Sequence, residues 1–197
     1  MNNGDLATTN RVLATIRAAQ LSGDRRAIPD EIFEEVGKIV VQPCVEVIVV
    51  DGGKYCLQRR SKDDGGDFGE GRLHIPGGFL KPVNGAGSVA CDARWMAHTE
   101  CGFQDLQYIA GPVAIYRWPM ETHKYANPIS LAYVFEPCGI KQQKEGLAWF
   151  DIGVLPDRQE VIDGHGGEVH LAILRVFFDS YKKNFQCPCV DLDMNQV

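Results

Sequence analysis

The sequence predicts an α+β fold, a mixed β-sheet sandwiched between helices and organised around one central strand, loop and helix unit. Three observations predict it. Branched and aromatic runs alternate with a single central helical segment, followed by further strand-like runs and a terminal helix. The stretch from His74 to Phe103 reads as a short extended end, a Pro76-Gly77-Gly78 turn, a loop, and a helix ending at Gly102. Asp51-Gly52-Gly53-Lys54, between two apolar runs, is the strongest hairpin signal in the chain.

The length of 197 residues and the 45% apolar content suffice for one full core with additions at the ends. The expected division is a helical extension over 1–39, a main domain over 40–183 and a loosely held tail over 184–197. Leu6 to Leu21 reads as a helix with Leu13, Ile16, Ala18 and Ala19 as its apolar stripe. Pro29 to Val36 reads as a second, with Pro29 in its first turn and Asp30 and Glu31 suited to its positive end. This extension either shields a sheet edge or makes a homodimer contact, and the sequence leaves both open.

Strands are expected over Val45 to Val50 and Tyr55 to Arg60, paired antiparallel through the hairpin. Ser61 to Gly71 is a glycine- and acid-rich loop whose Asp63, Asp64, Asp67 and Glu70 read as solvated charges. In the central helix, Ser88 is the expected cap, and Ala90, Ala93, Ala97 and Cys101 form a narrow face that can seat closely on a sheet. Glu100 lies at the edge of that face, on one flank with Met96 and Thr99. A lone acid there is commonly a solvated charge, so its surroundings decide its role.

Leu106 to Arg117 and Ile129 to Glu136 read as strands around a proline-marked loop. In that loop Trp118 and Tyr125 offer rings that either stack on a base or sugar or pack the loop, while His123 and Lys124 can meet a phosphate. Gly139 to Gly146 offers Gln143 and Glu145 ahead of a strand at Leu147 to Phe150. Val169 to Tyr181 reads as the closing amphipathic helix, carrying Leu171, Leu174, Val176 and Phe177. His165 and His170, near its start, read as cap or surface residues and are alternative water-activating bases.

A formal net charge of -6 argues against a nucleic-acid partner. No apolar run approaches membrane-spanning length, so no membrane partner is expected. The polar opening Met1-Asn2-Asn3-Gly4 carries no secretory signal, and seven scattered cysteines read as reduced thiols, which together predict a cytoplasmic location. Cys187-Pro188-Cys189 lacks the second pair that a zinc site needs.

The His74 to Phe103 unit resembles the signature of the Nudix hydrolases. Gly77-Gly78 matches the glycines that open the family's box, and Glu100 before Cys101-Gly102-Phe103 matches the last acid of its Glu-Glu pair. Trp95-Met96 stands in place of the family's Arg-Glu, Thr99 in place of the first Glu of the pair, and Gly87 in place of the early Glu. The early Glu and the Arg form an ion pair in the family, and losing both strands no buried charge. Losing acids at 96 and 99 removes the carboxylate cluster with which family members hold several Mg²⁺ ions around a diphosphate.

The pattern is most similar to the GDP-mannose mannosyl hydrolases, a branch with one remaining box Glu. Strand residues Val45 to Val50, which carry Glu46 among apolar neighbours, and the Arg-ended run Lys54 to Arg60 extend the likeness over roughly residues 30 to 155. The resemblance implies a Nudix-like α/β/α sandwich and one Mg²⁺, with Mn²⁺ as an alternative, held by the Gly77 carbonyl, Glu100 and Gln143. It implies a small-molecule nucleotide substrate whose diphosphate leaves while a base activates water. The branch's base position holds Lys144, and the adjacent Glu145 is the nearest substitute. Arg60 is the expected diphosphate contact, because its planar fork matches phosphate oxygens, with a structural ion pair as the alternative.

The expected function is therefore a Mg²⁺-dependent hydrolase of a nucleoside diphosphate linked to another moiety, a nucleotide sugar by this likeness. The alternative is a Nudix-fold module that binds or senses a nucleotide without turnover. A third reading is a pyrophosphohydrolase that recruits acids from the 61–71 loop.

Overall fold

The computed structural model describes residues 11–16, 18, 40–61, 70–80, 88–118, 127–138, 144–161 and 165–185. Among these, seven strands and two long helices follow one another: β1 (Val41–Asp51), β2 (Lys54–Arg59), β3 (Leu73–His74), β4 (Gly77–Phe79), α1 (Val89–Cys101), β5 (Leu106–Arg117), β6 (Asn127–Pro137), β7 (Leu147–Asp151) and α2 (His165–Lys182). Residues 11–16 are also helical, with Leu13 57% exposed, so the expected apolar stripe is not buried at that position. The rest of the expected N-terminal helices and the Cys187-Pro188-Cys189 segment lie outside the described residues.

The sheet is mixed. Its strand order is β3-β2-β1-β6-β5, with β4 attached to β1 and β7 to β2. β1 pairs parallel with β6 from Val41↔Asn127 to Val49↔Phe135, and antiparallel with β2 and β4. The β1–β2 hairpin closes at Asp51↔Lys54 through Gly52 and Gly53. Both glycines have positive φ, 55° and 80°, which is the backbone a two-residue hairpin turn requires.

Alternation along β1 sorts the core into two layers. Val45, Val47 and Val49 face α1 with Ala90, Ala93, Ala97, Cys101 and Phe103. Ile48 and Val50 face α2 with Val169, Ile173, Leu174, Phe177 and Phe178. The narrow α1 face is buried as its sequence predicts, with Ala93, Ala97 and Cys101 at 0% exposure. On α2 the expected Leu171, Leu174 and Phe177 are buried, but Val176 is 44% exposed. The helix begins at His165 rather than Val169, and its inward rows run through 169, 173, 177 and 170, 174, 178. No described helix is long and apolar enough to cross a membrane.

Candidate active site

The sequence sets both ends of α1. Ser88, in an extended conformation, accepts a hydrogen bond on its Oγ from the Cys91 N–H, and Gly102, with φ of 81°, ends the helix in the left-handed region. This fixes Glu100 in the last turn, where it is partly buried. One turn earlier, Met96 is 7% exposed and faces Gly78: a Cβ built on that glycine would lie 3.1 Å from Met96 Cε. A thioether thus occupies the place facing the glycine turn. A soft, neutral sulfur is a poor ligand for Mg²⁺.

A shallow cleft of about 20 Å³ between β4 and α1 is lined by Val45, Phe79, Leu80, Asp92, Trp95 and Met96. It has room for a single water. Desolvation raises the Asp92 pKa above the ordinary carboxylate value. Thr99 donates its hydroxyl hydrogen back to helix carbonyls of Trp95 and Met96, the local bonding a threonine makes when it is not a ligand.

Beyond the helix, the Lys144 N–H donates to the Cys101 carbonyl, and the Lys144 ammonium donates to the Thr99 carbonyl. Lys144 therefore caps the negative end of α1. Its amine is engaged at the position where the resemblance places a base. Glu145 follows on an exposed turn that Gly146 completes at φ of 88°. Beneath this turn, Cys101 and Cys56 are both fully buried, and their mutual hydrogen bond, together with burial, raises the Cys101 thiol pKa.

Gly77 lies opposite Glu46 in the β1–β4 ladder. The Val47 N–H bonds the Pro76 carbonyl and the Leu80 N–H bonds the Pro43 carbonyl, which makes the 46/77 pair a non-hydrogen-bonded one. The Gly77 N–H and carbonyl consequently point away from β1, where β4 has no strand partner among the described residues. A glycine is required here: an added Cβ would lie 2.4 Å from Glu46 Oε2 and 2.4 Å from the Val45 carbonyl oxygen. Because one of those atoms is backbone, Gly77→Ala is expected to cost about 1–3 kcal/mol by overpacking, read as a lowered urea midpoint at unchanged m-value.

Glu46 projects from the α2 face of β1 and is 5% exposed. The Trp118 indole N–H donates to Ser130 Oγ at 2.8 Å, and the Ser130 hydroxyl donates to Glu46 Oε1 at 2.8 Å. Burial raises the Glu46 pKa to about 8, against a smaller lowering by the Ser130 hydrogen bond, so its carboxyl is neutral at pH 7. His170, 5% exposed, meets the Trp118 ring edge-on at 5.5 Å and the His74 ring at 6.2 Å. Burial, with the nearby charges of His74 and Arg60, lowers its pKa to about 3. The expectation of a cap or surface role for His170 is thus corrected: it faces inward on the row it shares with Leu174 and Phe178. Trp118 likewise belongs to the core rather than to a ligand-stacking loop, being 8% exposed.

The structure brings Gly78, and with it Gly77, against the second half of α1 through the packing of Gly78 on Met96, and places Glu100 one turn further on. The charge of Arg60 is close enough to His170 to help lower its pKa. His123, Lys124, Gln143 and the acids at 63, 64 and 67 lie outside the described residues, and Glu70 is exposed. The Gly77 carbonyl and the Glu100 carboxylate are hard oxygen donors, of the kind Mg²⁺ or Mn²⁺ takes. Among the described residues no three His, Cys, Asp or Glu side chains gather to hold an ion. The described residues thus supply no carboxylate cluster for an ion, and any cation here would have to draw on backbone and amide oxygens beside Glu100.

The buried chain of Trp118, Ser130 and Glu46 is the part of the molecule that sequence reasoning missed. Its signal was Glu46 itself, an acid set in the otherwise apolar run from Cys44 to Val50 and on the same face as Ile48.

No family model matches the chain, and no curated protein matches it. Solved structures do. A Nudix hydrolase from Nitrosomonas europaea superimposes with a TM-score of 0.51 at 12% identity, over 72% of this chain and 72% of its own. A second Nudix hydrolase structure from Nitrosomonas europaea superimposes with a TM-score of 0.50 at 16% identity, over 74% of this chain and 91% of its own. Together with the mixed sheet and the glycine turn leading into α1, these likenesses show that the chain has the Nudix hydrolase fold.

Proposed function

We propose that this protein hydrolyses a nucleoside diphosphate linked to another moiety, a nucleotide sugar, and that it works with one divalent cation, Mg²⁺ or Mn²⁺ in its place. The observation that carries this reading is the outward Gly77 carbonyl on β4, a strand whose next residue, Gly78, packs on Met96 of α1, one helical turn before Glu100. Gly77, Glu100 and Gln143 would hold the ion. When bound, it would neutralise the charge that develops on the departing diphosphate.

Such a site favours attack at carbon. Water oxygen bonds to the anomeric carbon, the bond from that carbon to the diphosphate oxygen breaks, and the electron pair leaves with the diphosphate. Glu145, on its exposed turn beside the capped end of α1, accepts the proton from water. Arg60, His123 and Lys124 are assigned to the phosphates, where a guanidinium or ammonium adds positive charge. Cys44, Cys56 and Cys101, buried and not joined in disulfides, support a reducing, cytoplasmic setting.

A second reading, a nucleotide-binding module without turnover, is favoured by Met96 and Thr99 standing where the family signature has acids. Incubation with Mg²⁺ and a panel of nucleotide sugars separates the two. Free sugar plus intact nucleoside diphosphate is the expected result. Sugar phosphate plus nucleoside monophosphate would instead mean attack at phosphorus, and binding without any product would establish the module.

A further inference from the structure

Glu46 is a buried, neutral acid for which the proposed reaction has no use. Its carboxyl reaches under β4: the Oε2 atom lies 2.4 Å from where a Cβ on Gly77 would be, while Oε1 accepts from Ser130 at 2.8 Å, and Ser130 in turn accepts from the Trp118 indole at 2.8 Å. All three side chains are buried, at 5%, 1% and 8% exposure. On the opposite face Met96 presses on Gly78. β4, only three residues long and bonded to β1 alone among the described strands, is therefore gripped from both sides at successive glycines.

We propose that Glu46 is a positioning residue: held in place by Ser130 and Trp118, it sets the height and tilt of Gly77, and so the direction of the Gly77 carbonyl. The proposal rests on the functional reading that gives this carbonyl to a divalent cation. A strand held by side chains beneath it presents its carbonyl in one orientation. Released from Glu46, β4 can rock about its bonds to β1, and the carbonyl loses its fixed aim. Partners behind a metal ligand typically change metal affinity by about 10- to 100-fold when removed.

The test is a Mn²⁺ titration of the full chain, following free Mn²⁺ by electron paramagnetic resonance, with a thermal melt of each variant. Ser130→Ala and Glu46→Ala are expected to weaken Mn²⁺ binding by about 10-fold or more. Glu46→Gln, whose amide oxygen still accepts from Ser130 and whose size is kept, should stay within about twofold of wild type. Should Glu46→Ala fail to fold, Ser130→Ala, which deletes one hydroxyl, carries the test. A lowered Tm with unchanged Mn²⁺ affinity in Ser130→Ala would overturn the proposal and leave the functional reading intact. Glu100→Gln is the control for that reading. If it binds Mn²⁺ as wild type does, or if wild type binds none, the metal assignment fails and this proposal falls with it.

Discussion

Glu100→Gln should abolish nucleotide-sugar hydrolysis, lowering kcat/KM by at least about 10²- to 10³-fold. In the proposed site Glu100 is the one charged ligand; the other donors are a backbone carbonyl and an amide. The amide of Gln keeps the shape and one oxygen but loses the charge that holds a hard cation. Charge stabilisation by a bound metal is worth several kcal/mol in a transition state, and each 1.36 kcal/mol is a factor of ten in rate. A thermal melt of the variant separates a lost rate from a lost fold. A Glu100→Gln protein that turns over substrate at the wild-type rate would remove Glu100 from the reaction and with it the single-cation mechanism.

Local chemistry made much of this fold legible. The limits of α1 follow from Ser88 and Gly102, its packing from Ala93, Ala97 and Cys101, and the β1–β2 turn from Gly52 and Gly53. Each depends on residues within a few positions of one another. The parallel pairing of β1 with β6 does not, because alternation marks a strand without naming its neighbour. The same limit hid the role of Glu46, whose partner Ser130 is 84 positions away. Lys144 was legible only as the residue standing at the branch's base position, with Glu145 beside it as the substitute base. What determines its role is the exposed carbonyl end of α1, a feature of three dimensions. His170 was misplaced because α2 starts four residues earlier than its apolar periodicity suggests, which carries position 170 into the helix body and onto the core row.

The buried pair Glu46 and His170 should give this protein a stability plateau between about pH 4.5 and 6.5. Burial lowers the His170 pKa from 6.5 to about 3, so its contribution is fully present above 6.5 and is lost as pH falls toward 3, where the unfolded chain takes up a proton the folded chain refuses. His74 and Arg60, which face it, add to that refusal. Glu46 has the opposite sign. Burial raises its pKa from 4.5 to about 8, with Ser130 opposing weakly, so its contribution is full below 4.5 and is lost as pH rises toward 8. Between 4.5 and 6.5 the folded chain keeps its proton on Glu46 while the unfolded chain keeps one on His170; the proton counts match and the two slopes cancel. Outside that window one slope acts alone, at about 1.4 kcal/mol per pH unit. The pair's combined contribution therefore falls by about 2 kcal/mol between pH 6.5 and 8, and by a similar amount between 4.5 and 3. Urea unfolding of wild type and Glu46→Gln across this range isolates the alkaline limb. Their difference should change by about 4–5 kcal/mol between pH 4.5 and 8, in favour of the variant at high pH. A difference that stays constant would mean that Glu46 ionises in the folded protein as it does in the unfolded chain, and that the Trp118, Ser130 and Glu46 chain is open to water.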